Sequence, residues 1–148
     1  LNNLFCHAEH HVSKEGRITE VDYGQHYDQT KALSPQLYIR NYFSTSAVVC
    51  RKKLIKKYHG FDEQMMSAQD YELWLKVSRD AVPFFIGQLL GEYRLRDGNI
   101  TSGSLERKFI NLVIIAWRYR RFVSLPTRLL KLTRMAVSYI KQKLGRLF

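Results

Sequence analysis

The chain lacks the residues that staple small folds. Of its 148 residues only Cys6 and Cys50 are cysteine, and no CxxC or zinc-type Cys/His spacing occurs. That excludes a disulfide framework and a zinc module, and leaves two free thiols in a reducing compartment as the reading. Long apolar runs are missing too. The longest, FINLVIIAW at Phe109–Trp117, is far short of the roughly 20 residues a spanning helix needs. The opening LNNLFCHAEHH has no basic segment followed by an apolar run, so no secretory leader is read. It has no initiator Met and already reads as a strand, so a piece of a longer chain is expected. Acidic residues are scarce in one region: residues 1–104 hold 13 Lys+Arg against 12 Asp+Glu, whereas 105–148 hold 11 against 1.

What is present suits a folded domain, because 45% hydrophobic and 13% aromatic residues argue against disorder. Leu4–His10 reads as a strand, SKEG at 13–16 as a turn, and RITEV as a second short strand. Residues 22–40 lack clear periodicity around Pro35 and read as a loop, with a short helix near Gln36–Arg40. STSAVVC suits a buried strand, followed from Arg51 by a basic amphipathic helix that stops at Gly60. A helix is expected from Ser67 to about Asp80, with Tyr71, Trp74, Leu75 and Ser78 on one face and Pro83 preventing its extension. Phe84–Ile86 and Leu89–Leu95 read as two strands or one bent strand, with Gly87 and Gly91 at the bends. DGNITSGS is a loop. Helical patterns then cover Leu105–Phe122 and Thr127–Leu144, broken at Pro126.

Two features carry alternative readings. Ser67-x-x-Asp70 has capping-box spacing, and an acid in the first turn of a helix suits its dipole. His7 and His11 fall on one face of the first strand and His10 on the other, which disfavours a metal site.

The ordered set of a small-residue strand followed by Arg51, GFDE at Gly60–Glu63, DYELWLK at Asp70–Lys76 and YRLRDGNIT at Tyr93–Thr101 resembles the C-terminal half of the family 2 glycosyltransferases. Residues 4–18, ending in SKEGRI, look like that family's strand and loop after its metal-binding motif, so the resemblance covers roughly 1–103. It implies an α+β portion of the α/β GT-A (nucleotide-diphospho-sugar transferase) fold, a short mixed sheet with packed helices. Residues 1–104 would be the C-terminal half of the GT-A domain and 105–148 a basic helical extension.

The resemblance also implies an inverting transfer from a nucleotide-sugar donor to a glycan or lipid-linked acceptor, in envelope polysaccharide biosynthesis, with Asp70 as catalytic base. Residues 41–46 and 94–101 would line the site, with Asn41, Ser44, Ser46, Gln69, Trp74, Arg94 and Arg96 binding substrate. Gln69 stands where many relatives have Glu. Arg96 stands where many have a His, and an arginine pairs with phosphate oxygens rather than a metal. The family's donor-side half holds a divalent metal (Mn or Mg) through a DxD motif that this chain does not contain. The metal is therefore expected in a full-length parent, none is held by this segment, and the segment alone is expected to be inactive. Tyr71 and Trp74 could stack on a sugar, but aromatic residues at i and i+3 on a helix more commonly fill a core. Asp62 and Glu63 read as a structural loop.

In the basic extension, Leu129, Leu132, Ala136, Ile140 and Leu144 share one side of a helical wheel and Arg128, Lys131, Arg134 and Lys141 the other. Such a helix suits an anionic membrane surface or packing against the domain. Nucleic acid ranks lower, since no recognised binding motif accompanies the charge. A non-enzymatic basic module docking on membrane or nucleic acid is the alternative function. The expected setting is cytoplasmic, with peripheral contact on the inner face of the membrane, and half a sheet with open edges suggests a homo-oligomer.

Overall fold

The computed structural model describes residues 2–65, 67–96 and 104–145. They form a small α+β domain with a four-stranded mixed sheet and five α-helices. The first strand, β1 (Leu4–Val12), is central. β2 (Ile18–Val21) pairs antiparallel with residues 9–12 of β1, and β3 (Val48–Cys50) antiparallel with residues 4–6. β4 (Pro83–Arg94) runs parallel along the opposite edge for the full length of β1, with register shifts on either side of Ala8. The two apolar segments around Gly87 and Gly91 are thus one bent strand. Gly91 sits where β4 crosses His7: a Cβ there would lie 2.8 Å from the His7 ring, so a side chain is excluded unless that ring moves.

Local chemistry accounts for where the helices begin. α1 (Leu33–Ile39) starts three residues before the expected Gln36. Pro35 lies in its first turn, where a missing N–H breaks no intrahelical bond, so a residue read as loop punctuation belongs to the helix. STSAVVC is not one buried strand: Thr45–Ala47 form a 3-10 turn and β3 keeps three residues, with Val49 66% exposed. α2 (Lys52–Lys57) stops as expected, the Gly60 N–H returning to the Ile55 carbonyl at 3.1 Å with φ of 71°.

α3 (Gln69–Val77) begins after Ala68, whose backbone is left-handed, and no side chain caps it. The expected Ser67 cap is absent: Ala68 occupies the N-cap position, and the Ser67 hydroxyl accepts instead from Asn111 on α4 (Leu105–Tyr119) at 2.6 Å. Asp70 takes over part of that role, its Oδ1 accepting the Tyr71 N–H at 2.8 Å. α5 (Leu125–Leu144) contains Pro126 in its first turn. The proline starts this helix rather than breaking it, while a 3-10 turn at Arg120–Phe122 ends α4. The loop expected at 97–104 falls almost wholly outside the described residues.

One core joins the sheet to all five helices. Leu4 and Cys6 of β1, Leu37 of α1, Leu54 of α2, Leu73 and Val77 of α3, Ile115 of α4 and Met135 of α5 are buried in it. Phe43 stacks on Phe85 (5.5 Å) and meets Trp74 edge-on (5.8 Å). Residues of 105–148 therefore share the interior of 1–104. Cys6 and Cys50 are free, and burial pushes the Cys6 thiol up to about 12.

The orientation of α5 reverses the helical-wheel expectation. Lys131, placed on the polar side by the sequence, is 5% exposed, whereas Leu129, Leu132, Ile140 and Leu144 of the apolar stripe are 50–57% exposed. The inward side runs through Lys131, Met135 and Tyr139, spaced four apart, and packs on α1 and α4. The domain offers Lys131 a hydroxyl and an aromatic face, described below, that a leucine could not use.

Candidate functional site

Asp70 projects from the first turn of α3 into a cleft of about 690 Å³ between α3, the 40–45 segment, α4 and α5. Thr45, at the start of the 3-10 turn, donates to Asp70 Oδ2 at 3.1 Å. With Oδ1 tied to the Tyr71 N–H, the carboxylate is held at both oxygens. Among the described residues it is the one carboxylate in the cleft lining, which also contains Arg40, Lys108 and Lys131. Asn41 and Gln69 line the same space. Of the residues expected to bind substrate, these two join Asp70.

The others lie elsewhere. Trp74 is 4% exposed in the core against Phe43, in line with the core reading rather than a sugar contact. Arg94 pairs with its strand neighbour Glu92 at 2.5 Å near the end of β4, and Arg96 is exposed just beyond it. Ser44 and Ser46 hydrogen-bond each other at 2.8 Å, and Ser46 donates to Glu9 Oε2 at 2.9 Å. The 3-10 turn thus gives its first residue, Thr45, to the cleft and its middle residue, Ser46, to β1. The segment 97–101, expected to line the site, is outside the described residues.

Two buried carboxylates escaped the sequence reading. Glu9, fully buried, accepts from Tyr23 at 2.5 Å and lies 3.3 Å from His11 Nε2. Burial pushes its carboxyl upward, but hydrogen bonds from Tyr23, Ser44, Ser46 and His11 together outweigh that and hold it below its ordinary value. Glu72, 1% exposed, accepts from Tyr119 at 2.5 Å and Arg118 at 3.1 Å, with Lys76 at 3.1 Å. Arg118 also reaches Asp62 at 2.7 Å and lowers the pKa of that carboxyl. The acidic residue of GFDE thus anchors α4, which fits its reading as a structural loop.

Lys131, read as solvent-facing from the helical wheel, points inward. Its Nζ donates to the Tyr71 hydroxyl at 3.0 Å and lies 4.8 Å from the centre of that ring. The Tyr71 hydroxyl in turn points at the Leu37 and Tyr38 carbonyls, 3.0 and 2.8 Å away. Burial, with Arg134 adding repulsion, brings the Lys131 amine down to about 8. A sequence signal was present, since Met135 and Tyr139 stand in its row, opposite the leucine stripe.

Among the described residues no group of three or more His, Cys, Asp or Glu side chains is placed to hold a metal. No described helix is long and apolar enough to cross a membrane. No protein-family model matches the chain, and comparison with curated proteins returns no relative.

Proposed function

We propose that this chain is the acceptor-side portion of a GT-A-type inverting glycosyltransferase, with Asp70 as general base. The observation that carries the reading is that Asp70 is, among the described residues, the single carboxylate lining a cleft large enough for a sugar, oriented by Thr45 and the Tyr71 N–H. The acceptor hydroxyl gives its proton to Asp70 as its oxygen bonds to the anomeric carbon of the nucleotide sugar. The bond from that carbon to the diphosphate oxygen breaks in line, and its electron pair leaves with the nucleoside diphosphate. One ionised carboxylate suffices for this displacement, whereas a covalent intermediate needs a second group. Asn41 and Gln69 supply neutral polar contacts to the acceptor. β4 pairs with β1 alone among the described strands and exposes Phe84 and Leu90, an edge suited to a donor-side strand or a second copy.

The test is nucleoside diphosphate release from nucleotide sugars by the natural reading frame that contains this chain. Asp70→Asn lowers transfer at least about 100-fold while leaving the melting temperature in place. Transfer by Asp70→Asn at the wild-type rate overturns the assignment.

The solvent-facing leucine stripe favours a second reading, compatible with the first. Ile114 and Trp117 of α4 and Leu129, Leu132 and Ile140 of α5 are exposed within a segment rich in Lys and Arg. That composition suits docking on an anionic lipid surface from the cytoplasmic side. Vesicles containing phosphatidylglycerol should bind the chain, and Leu129→Glu with Leu132→Glu should abolish that binding. Equal binding by the double variant removes the idea, and retention on DNA in preference to vesicles favours a nucleic-acid module.

A further inference from the structure

A buried ammonium is costly unless an opposite charge or full hydrogen bonding compensates it. Lys131 is 5% exposed, and among the described residues no carboxylate forms an ion pair with it. The Tyr71 hydroxyl takes one of its three N–H donors at 3.0 Å. The rest of the amine is left to two spaces that Lys131 lines, the Asp70 cleft and a groove of about 300 Å³ between α4 and α5. Among the described residues, the charged groups lining these spaces beside Lys131 are Arg40 after α1, Lys108 of α4 and Arg134 of α5, against the single carboxylate of Asp70 on α3. The phenols there are Tyr71 and Tyr139.

An amine so placed is repelled by its surroundings as a cation and is attracted to them once it becomes an anion. We propose that Lys131 is a carbamylation site, its amine taking up carbon dioxide to form a carbamate that lies in the space between α3, α4 and α5 and pairs with the cations around it. The step needs no redox partner. The ammonium first gives a proton to water. The Nζ lone pair then attacks the carbon of carbon dioxide, forming the N–C bond as one C–O π pair moves onto oxygen, and a second N–H proton leaves. Two protons are released, and one positive charge is replaced by one negative. Burial and Arg134 assist the first loss by bringing the amine down to about 8, so that about a tenth is free base at pH 7, about 300-fold more than for an ordinary lysine.

The surrounding charge also selects the reagent. An aldehyde would leave an imine that still takes a proton, and cyanate a neutral urea, whereas carbon dioxide gives the anionic product that Arg40, Lys108 and Arg134 favour. Tyr71 is a positioning residue: its hydroxyl, directed at the Leu37 and Tyr38 carbonyls, presents a lone pair to the Lys131 amine. The product turns a cationic position in the wall of the Asp70 cleft into an anionic one. This inference does not depend on the glycosyltransferase reading.

The test is carbon NMR of the full chain in isotope-labelled bicarbonate at about pH 8, followed by trapping with triethyloxonium, which ethylates the carbamate oxygen, and peptide mass mapping. Trapping is expected at Lys131 at least about tenfold above any other lysine. Lys131→Met should lose the carbamate signal while keeping its circular dichroism, and Lys143→Met, on the exposed last turn of α5, should keep the signal. Arg134→Gln should lower trapping at Lys131 at least about threefold, because it removes both a counter-charge of the product and a repulsion that frees the amine. Absence of a carbamate signal, a signal that survives Lys131→Met, or even trapping at Lys131 and Lys143 overturns the proposal. Undiminished trapping in Arg134→Gln overturns the part given to the cations. Reductive alkylation of Lys131 by propanal in a chain that forms no carbamate marks an amine open to neutral carbonyl compounds, and also overturns it.

Discussion

Lys131→Met should make the isolated chain more stable at neutral pH, and the gain should shrink as the solution is made alkaline. The amine titrates at about 8 in the folded chain against an ordinary value of 10.5. Below about pH 8 it is protonated in both states, and the folded state bears the whole cost of holding the charge, about 3 kcal/mol. Between 8 and 10.5 the unfolded chain binds more protons than the folded one, so stability rises with pH in that window. By about pH 9.5 roughly 2 kcal/mol of the cost has been relieved. Methionine carries no charge and fills a similar slot, so the variant avoids the cost but forfeits the hydrogen bond to Tyr71, about 1 kcal/mol. The expected advantage of the variant is about 2 kcal/mol near pH 7, falling to about zero near pH 9.5. Urea unfolding followed by circular dichroism, wild type and variant side by side, measures it. Groups retained in both proteins, including Asp70, Lys108 and Arg40, cancel in the difference. An advantage that does not change with pH, or a variant much less stable at pH 7, would refute the claim that Lys131 is a buried, uncompensated cation.

Two further outcomes follow from the buried carboxylates. Tyr119→Phe deletes the 2.5 Å hydrogen bond to Glu72 without changing the ring, and should cost about 2 kcal/mol in urea unfolding; a loss below a few tenths would mean that Arg118 and Lys76 already satisfy the carboxylate. Glu9 is held below its ordinary 4.5 in the folded chain, so its contribution is complete above 4.5 and lost as pH falls through the folded value. Wild type should therefore lose more stability than Glu9→Gln between neutral pH and about pH 3, and parallel loss would count against the hydrogen-bond network.

The parts of the fold legible in the sequence are those set by short-range patterns. The strand at Leu4–His10, the alternation in RITEV, the turn in SKEG and the Gly60 stop depend on neighbours a few residues apart, and each element is present, with β1 running two residues further to Val12 and β2 starting at Ile18. Ser67 shows where this fails: its spacing from Asp70 is right for a cap, but Asn111, 44 positions away, takes the hydroxyl. The site divides the same way. Asn41, Gln69 and Asp70 flank one gap between α1 and α3 and fall together. Ser44 and Ser46, two residues from one another, bracket Thr45 on a 3-10 turn and so face Glu9 while Thr45 faces Asp70. Nothing in the local pattern announces that turn.

The orientation of α5 depends on a partner that no periodicity reveals. Its residues include apolar side chains on more than one side, so the helical wheel offers two possible inward faces. The leucine stripe would bury more apolar area, yet the inward row is Lys131, Met135 and Tyr139: Met135 joins the core, Tyr139 meets Phe109, and Lys131 lies against the Tyr71 ring and hydroxyl. That choice decides how a membrane role has to be tested. Deleting 105–148 would remove Ile115, Tyr119 and Met135 from the core and leave Glu72 without Arg118 and Tyr119, so lost binding would report unfolding as readily as a missing surface. Leu129 and Leu132 project to solvent and contribute nothing to that core. Charges placed on them separate the face that meets lipid from the face that holds the domain together.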